Sequence, residues 1–156
     1  AGNRLFLEGV LRALPTGPSY AVELRDAGWF QGETRTWLER ELTERRMALG
    51  WSSLTYVEVP PLRTADWIYL RFIGDHATIP AETHGEIRVD RSKEIRHWAE
   101  QVRRSEARSV FSFFNNHFAG FAPISARIFA EEMGLPGAKL PGGPGAGGRP
   151  RQGLLD

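Results

Sequence analysis

The sequence predicts an α/β domain in which parallel strands alternate with helices. Short apolar runs and amphipathic segments at helical spacing follow one another along most of the chain. The two strongest runs, Trp67 to Gly74 (WIYLRFIG) and Val110 to Asn116 (VFSFFNN), carry apolar residues on both faces, as a parallel sheet covered on both sides requires. There is no convincing hairpin signal, and strands separated by helices pair in parallel through right-handed crossovers.

Residues Leu5 to Leu14 place Leu7, Val10, Leu11 and Leu14 on one helical face, and Pro15 ends the pattern. Tyr20 to Arg25 (YAVELR) is a short apolar run between turn residues and reads as a strand. Glu33 to Met47 reads as a helix with Trp37, Leu38 and Leu42 as its stripe, acids early and Arg45 and Arg46 late, in keeping with the macrodipole. Ala48 to Leu54 is a weaker strand. The following connector contains Pro60 and Pro61, which exclude a regular element. After the Trp67 strand a long polar loop leads to Asp90, a plausible N-cap, and a helix burying Ile95, Trp98, Ala99 and Val102. Beyond the Val110 strand, Pro123 sits early in a last helix whose apolar face is Ile124, Ile128, Phe129 and Met133, with Gly134 as its C′ residue.

Composition narrows the function classes. The chain has 156 residues, enough for one domain with a real core. Its 20 Lys and Arg nearly balance 19 Asp and Glu, so nothing calls for direct nucleic-acid or membrane binding. The absence of cysteine excludes disulfides, thiol catalysis and zinc ribbons. No signal peptide is recognisable and no stretch reaches bilayer length, which leads to the expectation of a cytoplasmic protein. Residues 136–156 are dominated by Gly and Pro and are expected to form a flexible tail on a domain spanning 1–135.

Four strands are too few to close an eight-stranded barrel, and as an open sheet they leave two apolar edges. They form either a small open sheet or part of a larger barrel. The ordered combination AVELRDAGW, TADWIYLRFIGDH, DRSKEIRHWAEQV and FSFFNNHFAGFAP resembles the YecE-like family, domain of unknown function 72. The resemblance covers roughly residues 5 to 135 and matches the C-terminal half of that domain. It implies the C-terminal half of a TIM-type (β/α) barrel, about four strands, whose partner is the missing N-terminal half or a second copy.

In such a barrel the site lies at the C-terminal ends of the strands. Side-chain alternation puts Glu23 and Arg25 on one face, and Tyr69, Arg71 and Ile73 on one face. The expected site therefore has Glu23 as a general acid or base and Arg71 as its catalytic partner. Arg25, Asn115 and Asn116 would bind the ligand, and Trp29 would floor a sugar or base by stacking. A small anionic or polyhydroxylated ligand suits this set, and a hydrolase or isomerase is the kind of enzyme it would serve. The bland alternative is a structural Glu–Arg pair with amides satisfying loop backbone and Trp29 in the core. Asp75, His76 and His117 end adjacent strands and could approach one another as metal ligands, but their spacing is unspecific and no metal is expected. His84 and His97 read as solvated. No cofactor is specified. A rival reading is an interaction protein whose RQGLLD end, through Gln152, Leu154 and Leu155, docks on DNA replication or repair machinery.

Overall fold

The structure is a computed structural model describing residues 2–75 and 77–135. Four strands form a single parallel sheet in chain order: β1 (Ala21–Val22), β2 (Ala48–Ser53), β3 (Trp67–Phe72) and β4 (Ser109–Phe114). The helices are α1 (Gly2–Ala13), α2 (Gly32–Glu44), α3 (Ser92–Ser105), the single turn α4 (Asn116–Ala119) and α5 (Ala122–Glu132). This is the α/β arrangement expected for four consecutive strands of a TIM-type barrel.

One face of the sheet is covered and forms the core. Along β3, Ile68, Leu70 and Phe72 are buried while Trp67, Tyr69 and Arg71 on the opposite face are not. The buried face packs on α3, whose Ile95, Trp98, Ala99 and Val102 form the expected stripe, and on Phe118 and Phe129. Phe72 lies at the centre of an aromatic cluster. It stacks on Phe114 at a centroid separation of 4.3 Å and meets Phe118 and Phe129 edge-on. A second cluster joins Leu7 and Leu11 of α1 to Trp29, Trp37, Leu38, Leu42 and Leu49.

The elements end earlier or later than the sequence patterns suggest, for local reasons. The first strand has only Ala21 and Val22 in its ladder with β2, and among the described residues it has no second neighbour. The final strand stops at Phe114, where Asn115 takes the position before α4, and the backbone turns. On α1, Leu7 and Leu11 are buried but Val10 is not, while Leu5 and Phe6 are each 75% exposed. The apolar residues of α1 are therefore split between the core and the surface. The N-cap of α3 is Arg91 rather than Asp90; the Asp90 carboxylate sits one residue further out and accepts the Ser92 N–H at 2.9 Å in a local turn. On α5 only Phe129 of the expected apolar face is fully buried.

The connector from β2 to β3 contains no helix, yet its ends are fixed. Buried Thr64 accepts the Leu49 N–H at 2.8 Å and donates its hydroxyl to the Met47 carbonyl at 2.7 Å. The Trp51 indole donates to the Leu62 carbonyl at 2.9 Å. These side-chain bonds supply partners that a crossover helix would otherwise make unnecessary, and they hold β2 and β3 in parallel register.

Phe72→Ala removes the centre of the aromatic cluster from a site that is 0% exposed. Its expected cost is about 3–5 kcal/mol, measurable as a lowered midpoint in urea unfolding with an unchanged slope. A loss below about 1 kcal/mol would show that the cluster does not organise this face.

Candidate functional site

The site is built by side chains from three strands that reach across one another. In the sheet β2 lies between β1 and β3, with Gly50 opposite Tyr69 and Ser52 opposite Arg71. Glu23, just past β1, has its Cα only 3.3 Å from where a Cβ at position 50 would stand. Because Gly50 has no side chain, Glu23 crosses over β2. Its Oε2 accepts from Nη1 of Arg71 at 3.0 Å. The other carboxylate oxygen, Oε1, accepts from Nε of Arg25 at 2.6 Å. Nη2 of Arg71 lies 3.5 Å from Oδ1 of Asn115, at the limit of a hydrogen bond. One carboxylate thus bridges two guanidinium groups, and the second of these extends to an amide.

The members differ in access to solvent. The side chains of Glu23 and Arg71 are 17% and 24% exposed, whereas Arg25 is 47% exposed. Arg25 has its pKa raised, first by the hydrogen bond to Glu23 and then by the carboxylate's charge, with partial burial opposing. Ser52 belongs to the same face by strand alternation, since Trp51 beside it packs on Trp98 behind the sheet. Its hydroxyl is buried and has no hydrogen-bond partner among the described residues.

Four of the sequence-derived residues, Glu23, Arg25, Arg71 and Asn115, therefore meet. The other two are placed differently. The ring of Trp29 is buried against Trp37 in the core beside α2, so packing accounts for it. Oδ1 of Asn116 accepts the Ala122 N–H at 2.9 Å and so fixes the start of α5. Tyr69 sits one layer below Arg71 and packs on Phe113 at 5.1 Å between centroids.

Beyond the ends of β3 and β4, His117 meets His84. Nδ1 of His117 lies 2.7 Å from the Ile79 carbonyl, so it carries the proton and donates. Nε2 of His84 lies 3.3 Å from the same atom, and the rings meet edge-on. His84 is therefore a half-buried packing partner rather than a solvated loop residue, whereas His97 is exposed on α3 as expected. The contact joins residues 33 positions apart and has no local sequence signal. Gly74 makes it possible: at φ +70° it adopts the left-handed conformation, and a Cβ there would fall 1.9 Å from the His117 carbonyl oxygen.

Asp75 is engaged locally by the Thr78 N–H at 2.6 Å and the Thr78 hydroxyl at 2.8 Å. His76 lies outside the described residues, as do Gln152, Leu154 and Leu155 of the tail. Among the described residues no group of three or more His, Asp or Glu side chains is placed to hold a metal ion. No described helix is long and apolar enough to cross a membrane.

A parallel half-barrel with a polar cluster at the C-terminal ends of its strands is the class of protein these features define. The chain belongs to the DUF72 family of proteins of unknown function, whose family model matches residues 2–149. Its fold is similar to that of the DUF72 protein EF0366 of Enterococcus faecalis, with a TM-score of 0.67 and 22% identity over 86% of this chain and 56% of that one. The DUF72 protein TM1631 of Thermotoga maritima is similar at a TM-score of 0.63 and 22% identity, over 83% of this chain and 51% of that one. The chain thus spans about half the length of these relatives. No curated protein matches it.

The Asp75 turn gives a pH prediction. Its carboxyl titrates below the ordinary aspartate value, chiefly because the Thr78 N–H donates to it and secondarily because the Thr78 hydroxyl does. A lowered folded pKa means that the turn's contribution is complete above about pH 4 and is lost as pH falls through the folded value. Thr78→Val should move the Asp75 midpoint upward in an NMR titration. An unmoved midpoint would show that the hydroxyl contributes nothing.

Proposed function

We propose that this chain supplies the ligand-binding mouth of a TIM-type barrel and that the ligand is small and anionic. The carrying observation is the bridge of Glu23 between Arg25 and Arg71 at the C-terminal strand ends. Ligands of (β/α) barrels bind on that side. Two guanidinium groups face one carboxylate, which leaves an excess of one positive charge. Arg25 is exposed enough to turn toward a bound carboxylate or phosphate, and Asn115 is placed to orient a hydroxyl or carbonyl group. Forked, charge-assisted bonds from arginine suit such groups better than lysine would.

Glu23 acts in two capacities in this reading. Without ligand it holds both arginines in place. When a ligand anion takes over those donors, the carboxylate is released beside the ligand and is the one group in the cluster able to move a proton. A reaction of hydrolase or isomerase type at this site would use it so. Trp29 and Asn116 take no part, being committed to the core and to the start of α5.

Calorimetric titration with inorganic phosphate and with a small dicarboxylate tests the reading. Arg71→Ala should weaken binding by about 10- to 100-fold, the worth of a hydrogen bond to a charged group. Glu23→Gln should strengthen it several-fold, because it removes the competing carboxylate. Binding that Arg71→Ala leaves unchanged places the anion elsewhere. Weakening by Glu23→Gln instead indicates a ligand held through its hydroxyls by the carboxylate.

A further inference from the structure

We propose that the anion held at this mouth is a phosphate group, and that the Ser52 hydroxyl is the donor that selects its tetrahedral shape over a planar carboxylate. This rests on the mouth being an anion site and goes beyond it by naming the shape and charge of the anion. Ser52 carries a buried hydroxyl with nothing to bond. The residue is 0% exposed, and its Oγ has no hydrogen-bond partner among the described residues. A hydroxyl buried in this way costs free energy, which alanine would avoid if the position served packing alone. Its cover comes from the described residues themselves, so no further segment of a longer domain is needed to bury it.

Register places this hydroxyl inside the polar layer. Ser52 stands opposite Arg71 in the β2–β3 ladder, and Gly50, two residues before it, shares its face. Glu23 approaches β2 at Gly50 and reaches Arg71 on β3, so its carboxylate spans the strand that carries Ser52. The ion pair roofs the hydroxyl. An anion that takes the place of the Glu23 carboxylate between the two arginines comes to lie over Ser52.

The protein's own carboxylate shows how a planar anion fits this place. Oε2 of Glu23 accepts from Nη1 of Arg71 at 3.0 Å, and Oε1 faces Nε and Nη2 of Arg25 at 2.6 and 2.5 Å. Both oxygens are taken up by guanidinium groups, and the hydroxyl bonds to neither. A carboxylate has no third oxygen to offer. A phosphate group does: with two oxygens on the arginines, a third lies out of their plane and meets the hydroxyl of β2. The fourth lies on the opposite side, away from β2, and carries the rest of a phosphate ester. Charge agrees with shape. A phosphate monoester carries about −1.5 to −2 at pH 7, which matches two guanidinium groups, whereas one carboxylate leaves one of them over. Asn115 turns its Oδ1 toward Arg71 and keeps its amide N–H groups to donate to the same anion.

Calorimetric titration of the full chain with inorganic phosphate and with malonate, a dicarboxylate of similar charge, tests the proposal. Phosphate should bind more tightly than malonate. Ser52→Ala should weaken phosphate about tenfold or more, the worth of a hydrogen bond to a charged group, and so close most of that gap while leaving malonate nearly unchanged. Ser52→Cys, close in size but a weak donor, should reproduce the loss of phosphate. Urea unfolding without ligand should show the Ser52→Ala midpoint unchanged or raised, because the hydroxyl has no partner to lose, whereas a purely structural role would lower it. No preference for phosphate, equal weakening of both anions by Ser52→Ala, unchanged phosphate binding or a lowered urea midpoint overturns the proposal. The anion site itself survives those results as long as Arg71→Ala weakens binding. Binding that ignores Arg71→Ala, or no binding of either anion, removes the site and the proposal together.

Discussion

The register of β2 against β3 is the constraint on which the other features of the molecule depend. Placing Gly50 opposite Tyr69 and Ser52 opposite Arg71 sets the height of three strands at once, since β4 follows β3 with Arg71 opposite Phe113. A slip of one residue would turn Ile68, Leu70 and Phe72 toward the open face and Arg71 into the core. Thr64 and Trp51 fasten the helix-free connector that the register depends on. The same alignment puts a glycine in the path of Glu23, so the ion pair and the ladder share a single geometric cause.

The two faces of this sheet are unequal in a way that a self-contained open sheet would not be. Behind the sheet, Phe72, Leu70 and Ile68 are almost completely excluded from water and meet α3 and α5. In front, the aromatic layers are half exposed, and among the described residues the two sheet edges have no neighbours. Helices cover both faces of an open parallel sheet, whereas a barrel covers its inner face with the sheet itself. The distribution of burial here follows the second pattern. That is consistent with a chain matching about half the length of DUF72 proteins.

Much of this was legible in the sequence because it was written in period. The apolar stripes of α2 and α3 repeat at helical spacing, and all of Trp37, Leu38, Leu42, Ile95, Trp98, Ala99 and Val102 are buried. The convergence of Glu23, Arg25, Arg71 and Asn115 follows from alternation along strands whose C-terminal ends lie together. What escaped was set by contacts distant in sequence. Val10 fits the α1 stripe but is exposed, because the helix buries only Leu7 and Leu11. Asn115 and Asn116 are chemically equivalent as a pair, and only the turn into α4 sends one to Arg71 and the other to the Ala122 N–H. His84 gave no sign of meeting His117, and the requirement for Gly74 is visible only once α4 lies against it.

Energetics bear on why the Glu23 bridge exists. Partly exposed ion pairs contribute little to stability, and partly buried ones lose much of their attraction to desolvation. Holding three long side chains in place also costs conformational entropy. An apolar set would fill the same layer more stably, as the aromatic layers below it do. The sheet instead carries, in one layer, a carboxylate with two guanidinium groups, an amide at marginal hydrogen-bond distance, and the buried Ser52 hydroxyl, which has no partner among the described residues. Unsatisfied or loosely satisfied polar groups are costly in a layer whose role is packing, but they are what a ligand needs to find. The polar layer lies at the strand ends and the apolar layers beneath it. This gradient along the strands separates the packed layers that hold the half-barrel together from the polar layer at its mouth.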